Sequence, residues 1–142
     1  MTEVPAGFET MPRFGPFHEL VGPFYWKLEG DQYSIGMQIL DKHRAKGPFI
    51  HGGMLAMLMD TAFMWVTRRL YDASVGIVTT HLSIDYVAGA SSGDWIEARV
   101  DVVRSGKRLT FLSAYVWKGD ERIARANAQF QTVDRSRRPL LE

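Results

Sequence analysis

Residues 51–70 read His51-Gly52-Gly53-Met54-Leu55-Ala56-Met57-Leu58-Met59-Asp60-Thr61-Ala62-Phe63-Met64-Trp65-Val66-Thr67-Arg68-Arg69-Leu70. From Met54 onward Met, Leu and Ala dominate, all good helix formers. Pro48 blocks a helix from reaching back through Gly47, and Arg68 and Arg69 suit the negative C-terminal end of a helix dipole. The spacing predicts one helix over residues 54–70. It is apolar nearly all round, so it belongs inside a fold rather than on a surface.

Everything around this helix has the period of strands. Upstream, Phe24, Trp26 and Leu28 alternate with Tyr25, Lys27 and Glu29. Gly30-Asp31 turns the chain, and Tyr33, Ile35, Met37 and Ile39 alternate again, a hairpin signature. Downstream, residues 78–86, 96–102, 109–117 and 123–133 read as four strands joined by short turns. In the first of these, strict alternation puts Val78, Thr80, Leu82, Ile84 and Tyr86 on one face and Thr79, His81, Ser83 and Asp85 on the other. On the last strand Ala124, Ala126, Ala128 and Phe130 form the expected inner face, small enough to let a helix approach. A hairpin, one long helix and four strands predict an α+β fold in which an antiparallel sheet wraps the helix. Residues 1–19, with Pro5, Gly7, Pro12, Gly15 and Pro16, read as an irregular leader, residues 20–133 as the domain, and residues 134–142 as a charged tail.

Bulk properties narrow the function. A chain of 142 residues suffices for one domain with a core. The formal net charge of +1 creates no general field for nucleic acid or an anionic membrane. Arg135, Arg137 and Arg138 in the tail lack interleaved aromatics and read as a solvated end. Cysteine is absent, which removes disulfides, thiolate metal sites and a cysteine nucleophile. Four scattered histidines have no ligand-like spacing, so neither a metal nor a cofactor is expected. The N-terminus lacks the apolar core of a signal peptide, and the apolar run 54–66 is too short to cross a bilayer. A soluble, cytoplasmic protein is expected.

Two features carry chemistry. Glycines at a helix start let backbone N–H groups face a bound oxygen, and the helix dipole favours negative charge there; a plain tight loop is the alternative. Asp60 is the sharper anomaly. Its neighbours three and four residues away are Ala56, Met57, Phe63 and Met64, none of which can pair with it. A carboxylate among apolar groups needs a distant arginine, a helix break that it caps, or a chemical role.

These residues resemble the PaaI-type branch of the hotdog-fold acyl-CoA thioesterases. The likeness lies in His51-Gly52-Gly53, the helix bearing Asp60-Thr61-Ala62-Phe63, the strand Val78–Tyr86, and the segment Val102-Val103-Arg104-Ser105-Gly106-Lys107-Arg108-Leu109. It covers about residues 20–133. The resemblance implies a hotdog fold, hydrolysis of acyl-CoA, and a homodimer or homotetramer with active sites shared between subunits. It implies that Gly52 or Gly53 polarises the thioester carbonyl. Asp60 from the neighbouring subunit would be general base or nucleophile, and Thr79 would orient the carboxylate or water. His51 is a candidate ligand of the thioester oxygen, or else a residue fixing the loop before the helix. Arg104, Lys107 and Arg108 cluster where coenzyme A phosphates could bind. A triad from Ser83, His81 and Asp85 is poorly aimed, since alternate strand residues stand about 7 Å apart. One departure stands out: relatives carry an asparagine about six residues before the histidine of the HGG motif, where this chain has Arg44-Ala45-Lys46. His43 and Arg44 are the available substitutes. The rival expectations are a hotdog protein that binds acyl-CoA without hydrolysis, and a hydratase or dehydratase of acyl thioesters.

Overall fold

The computed structural model describes residues 3–12 and 14–134. In chain order its elements are β1 (Glu9–Thr10), α1 (Pro16–Val21), β2 (Tyr25–Glu29), β3 (Gln32–Gln38), a 3-10 turn (Asp41–His43), α2 (Gly52–Arg68), β4 (Val75–Tyr86), β5 (Trp95–Ser105), β6 (Leu109–Lys118) and β7 (Glu121–Asp134). The strands form one antiparallel sheet in the order β1-β2-β3-β5-β6-β7-β4. The chain leaves β3 and re-enters the sheet at its far edge as β4, and α2 is the crossover. That path lays the helix across one face of the sheet, as the hotdog expectation required.

Helix α2 starts two residues earlier than the sequence pattern predicts, so both glycines lie in its first turn. Its sheet-facing side is Leu55, Leu58, Met59, Ala62, Phe63 and Val66, all buried and spaced as one helical face. Opposite them lie Ile35 and Met37 of β3, Ile96, Ala98 and Val100 of β5, Leu112, Ala114 and Val116 of β6, and Ala124, Ala126, Ala128 and Phe130 of β7. The alanine row of β7 is buried, as read. Burial all round the helix is not found among the described residues: Ala56, Met57, Asp60 and Met64 make a half-buried stripe.

Strict alternation fails on β4. Opposite β7, Thr79 pairs with Phe130 and His81 with Gln129, leaving Thr80 as an extra residue in a bulge. A bulge inserts one residue and shifts the side-chain phase. Thr79 therefore shares its face with Leu82, Ile84 and Tyr86, whose partners Ala128, Ala126 and Ala124 point into the core. The expected opposition of Thr79 to Leu82 is corrected by this one residue.

The leader is more ordered than its prolines suggest. It contributes β1 to the sheet edge and α1, which crosses the expected boundary at residue 20. His18 on α1 reaches Thr61 of α2, with Nε2 and Oγ1 3.1 Å apart, and Phe14 meets the Trp65 ring edge-on. His43, 2% exposed, ties the end of α1 to the 3-10 turn. Its Nδ1 accepts from the Leu40 N–H and its Nε2–H donates to the Val21 carbonyl. The expected tail begins at residue 134, and all of it beyond Asp134 lies outside the described residues.

Two measurements test these contacts. A Cβ at Gly36 would stand 2.3 Å from the Trp95 ring, which is flanked by Phe8 and Tyr25. Gly36→Ala should therefore cost about 1–3 kcal/mol in denaturant unfolding. An undiminished midpoint would remove this constraint. Burial holds His43 below the ordinary histidine pKa, against the pull of the Val21 carbonyl and aided by Lys42. Burial also lowers His18, opposed by the charge of Asp60. A histidine kept neutral by folding binds fewer protons in the native state, so its stabilisation is complete above the unfolded pKa of about 6.5 and is lost as pH falls below it. Stability should decline on acidification from about pH 6.5. The slope should be shallower in His43→Gln, and equal slopes in the two proteins would contradict the assignment.

Candidate active site

Asp60 sits midway along α2, in the half-buried stripe, where the bulge of β4 brings a hydroxyl to it. Thr79 Oγ1 donates to Asp60 Oδ1 at 2.8 Å. This is a charge-assisted hydrogen bond between residues of one chain. Neither structural alternative for Asp60 holds among the described residues. No lysine or arginine pairs with it, and the helix runs unbroken through it, so it caps nothing.

At the start of α2 the two glycines differ. His51 is the N-cap, and its Nδ1 accepts the Gly53 N–H at 2.8 Å. A Cβ on Gly53 would lie 2.9 Å from that nitrogen, so a side chain there would displace the capping imidazole. The Gly53 amide is consequently engaged, and the His51 ring holds the start of the helix. Met54 and Leu55 both donate to the His51 carbonyl. The Gly52 N–H precedes these bonds and has no protein acceptor among the described residues. The Tyr86 hydroxyl, at the end of β4, donates to the Gly52 carbonyl at 2.8 Å and holds that peptide.

The single chain does not bring all the expected residues together. Eight residues of helix separate Gly52 from Asp60, a rise of about 12 Å. Arg104, Lys107 and Arg108 are exposed at the β5–β6 turn. That turn is bound to the helix exit through Tyr71, whose hydroxyl donates to the Gly106 carbonyl, and to β7 through Thr132. It lies by the beginning of β4, whereas Gly52 lies by its end. Of the expected substitutes for the asparagine, His43 has both ring nitrogens occupied. Arg44 is held locally by the Gly47 carbonyl and Asp41. The triad does not form either, since Asp85 pairs with Arg125 at 2.7 Å.

Two residues near the site escaped the sequence reading. His18 reaches Thr61 from 43 residues away, and nothing local marks a lone histidine in a proline-rich leader. Tyr86 was assigned to a strand face, with no sign that its hydroxyl meets Gly52. Among the described residues no group of histidines and carboxylates could hold a metal ion, and no helix is long and apolar enough to cross a membrane.

Comparison with known proteins agrees with this architecture. The family model of the thioesterase superfamily matches residues 47–124, which include Gly52, Asp60 and Thr79. A Pseudomonas aeruginosa protein named as an esterase, PA0474, is 31% identical over 131 residues, covering 92% of this chain and 98% of its own. Among solved structures, the conserved protein PA5202 of Pseudomonas aeruginosa superposes with a TM-score of 0.76 at 24% identity, over 84% of this chain and 95% of that one. A point mutant of the phenylacetic acid degradation protein PaaI from Thermus thermophilus superposes with a TM-score of 0.72 at 21% identity, over 82% of this chain and 98% of that one. These two likenesses concern the fold. The family match and the 31% identical relative show that the chain belongs to the thioesterase superfamily, and its fold is the hotdog fold.

Proposed function

We propose that this protein hydrolyses acyl- or aryl-CoA thioesters at a site built from two copies of the chain. The observation that carries the reading is the Thr79–Asp60 hydrogen bond, the one side-chain hydrogen bond to this carboxylate among the described residues, on the half-buried stripe of α2. Asp60 either takes the proton of an attacking water or attacks the carbonyl carbon itself. The oxyanion then accepts from the Gly52 N–H at the positive end of α2, and the coenzyme A thiolate leaves; on the nucleophilic route a water then cleaves the acyl–Asp60 anhydride, releasing the acid and restoring the carboxylate.

One chain cannot perform both roles on one carbonyl, because the helix fixes Gly52 about 12 Å from Asp60. A second copy supplies a Gly52 whose position is free of that constraint. The edge of β4 supports such an assembly. This twelve-residue strand pairs only with β7 and leaves its other row of backbone groups open among the described residues. Antiparallel pairing of two β4 edges would carry the basic turn of one chain toward the Gly52 end of the other, so Arg104, Lys107 and Arg108 could meet the coenzyme's phosphates there. A side chain on Gly52 would only touch the Tyr86 ring at 3.5 Å, an ordinary contact. Its glycine identity therefore suits an approach from outside the chain.

One feature favours the binding-only alternative: neither His43 nor Arg44 is free to replace the missing asparagine. A panel of acyl- and aryl-CoAs with thiol detection separates the two readings. Asp60→Ala should lose at least about a hundredfold in kcat with the fold intact. Thr79→Val should lose about ten- to a hundredfold, the worth of one hydrogen bond to a charged group. Acyl-CoA binding without turnover by the wild type would establish the binding protein instead. Light scattering should show a dimer or larger assembly; a fully active monomer would overturn the shared site.

A further inference from the structure

A cleft of about 430 Å³ opens beneath α1, lined by Met11, Pro12, Phe14, Phe24, His18 and Lys42 among others. Its volume lies within the range of small-ligand clefts, roughly 300–1,000 Å³. We propose that this cleft receives the acyl part of the thioester, and that His18 is the positioning residue that sets its boundary with Asp60. The proposal rests on the thioesterase reading for the identity of the ligand.

The lining selects between the two halves of an acyl-CoA. Met11, Phe14, Phe24 and the two prolines, Pro12 and Pro23, offer apolar walls. Lys42 already donates its ammonium to the Leu20 carbonyl at 3.1 Å, and Glu19 also borders the cleft. The Glu19 carboxylate disfavours phosphates in the cleft, and the apolar walls suit a hydrocarbon chain or an aromatic ring. The phosphates have the exposed basic turn at the opposite end of the helix.

His18 joins the wall of the cleft to the helix turn that follows Asp60. Its Nε2 lies 3.1 Å from Thr61 Oγ1, and Thr61, 2% exposed, directly follows Asp60. The same ring packs against Phe14 and Phe24, with centroids 5.2 and 5.9 Å away. The imidazole thus spans from the apolar wall to the helix turn that bears the carboxylate. Burial lowers its pKa, which favours a neutral ring beside an apolar chain. Thr61 links the leader to α2 at the turn where the acyl carbon must stop.

Calorimetry with non-hydrolysable S-ethyl-CoA and S-octyl-CoA tests this independently of turnover. Wild type should bind the octyl thioether more tightly. Met11→Trp, and Pro12→Trp on the rim if the buried variant does not fold, should each cut the octyl-to-ethyl affinity ratio by at least about tenfold, the worth of a few buried methylenes. His18→Ala should lower the ratio, and His18→Gln, which retains a polar atom near the Nε2 position, should restore most of it. An unchanged ratio in a folded tryptophan variant, or no chain-length preference in the wild type, would overturn the cleft assignment. A lowered ratio that His18→Gln does not restore would overturn the role of His18. If the ratios behave as expected while no acyl-CoA is turned over, the cleft stands and the thioesterase reading falls.

Discussion

A threonine hydroxyl holds the carboxylate of the central helix, and a single extra residue in β4 aims that hydroxyl. Without the bulge at Thr80, residue 79 would face away from the core and Asp60 would lose the hydroxyl that holds it. A half-buried carboxylate with no hydrogen bond would be costly. With several it would be tied down. One donor on one oxygen orients the group and leaves its second oxygen without a protein partner among the described residues. The bulge therefore serves the proposed site as well as the sheet, in keeping with the frequent placement of bulges beside functional sites.

Much of the fold was legible because it rests on local periods. Leu55, Leu58, Met59, Ala62, Phe63 and Val66 mark one helical face, and the alanines of β7 mark the strand beneath it. The errors fall where a non-local contact outweighs the period. The bulge at Thr80 depends on how β4 registers against β7, which no window of β4 encodes. Gly52 and Gly53 read as standing just before a helix that begins at Met54, yet the His51 imidazole caps the helix early enough to include them. The glycines also read as equivalent carbonyl polarisers, and only the geometry separates them. His18 was not legible as a site neighbour at all, since its contact with Thr61 depends on how the leader folds back.

The histidines show how residue type underdetermines role. His43 uses both nitrogens to bind the backbone of the leader and of the 3-10 turn. It cannot replace an asparagine side chain at the reaction centre without releasing α1. His51 spends its Nδ1 on the helix cap, which occupies one glycine amide and leaves the other. His81 follows the bulged residue and is exposed. These are backbone and surface roles. They leave Asp60, Thr79 and the Gly52 amide, groups with fewer competing partners, as the residues to which the proposed chemistry is assigned.

Under the proposed mechanism, the length of the helix makes assembly a requirement. Moving Gly52 closer to Asp60 in one chain would mean breaking α2, whose sheet-facing side is continuous from Leu55 to Val66. Each turn removed would uncover apolar surface on β3, β5, β6 and β7. The proposed shared site keeps the helix whole, with a second helix start approaching the carboxylate from outside. Such an approach needs an uncovered stripe on α2, an open strand edge beside it and a glycine with no side chain in the way. All three lie along the same side of the molecule, where Thr79 and Tyr86 join β4 to α2.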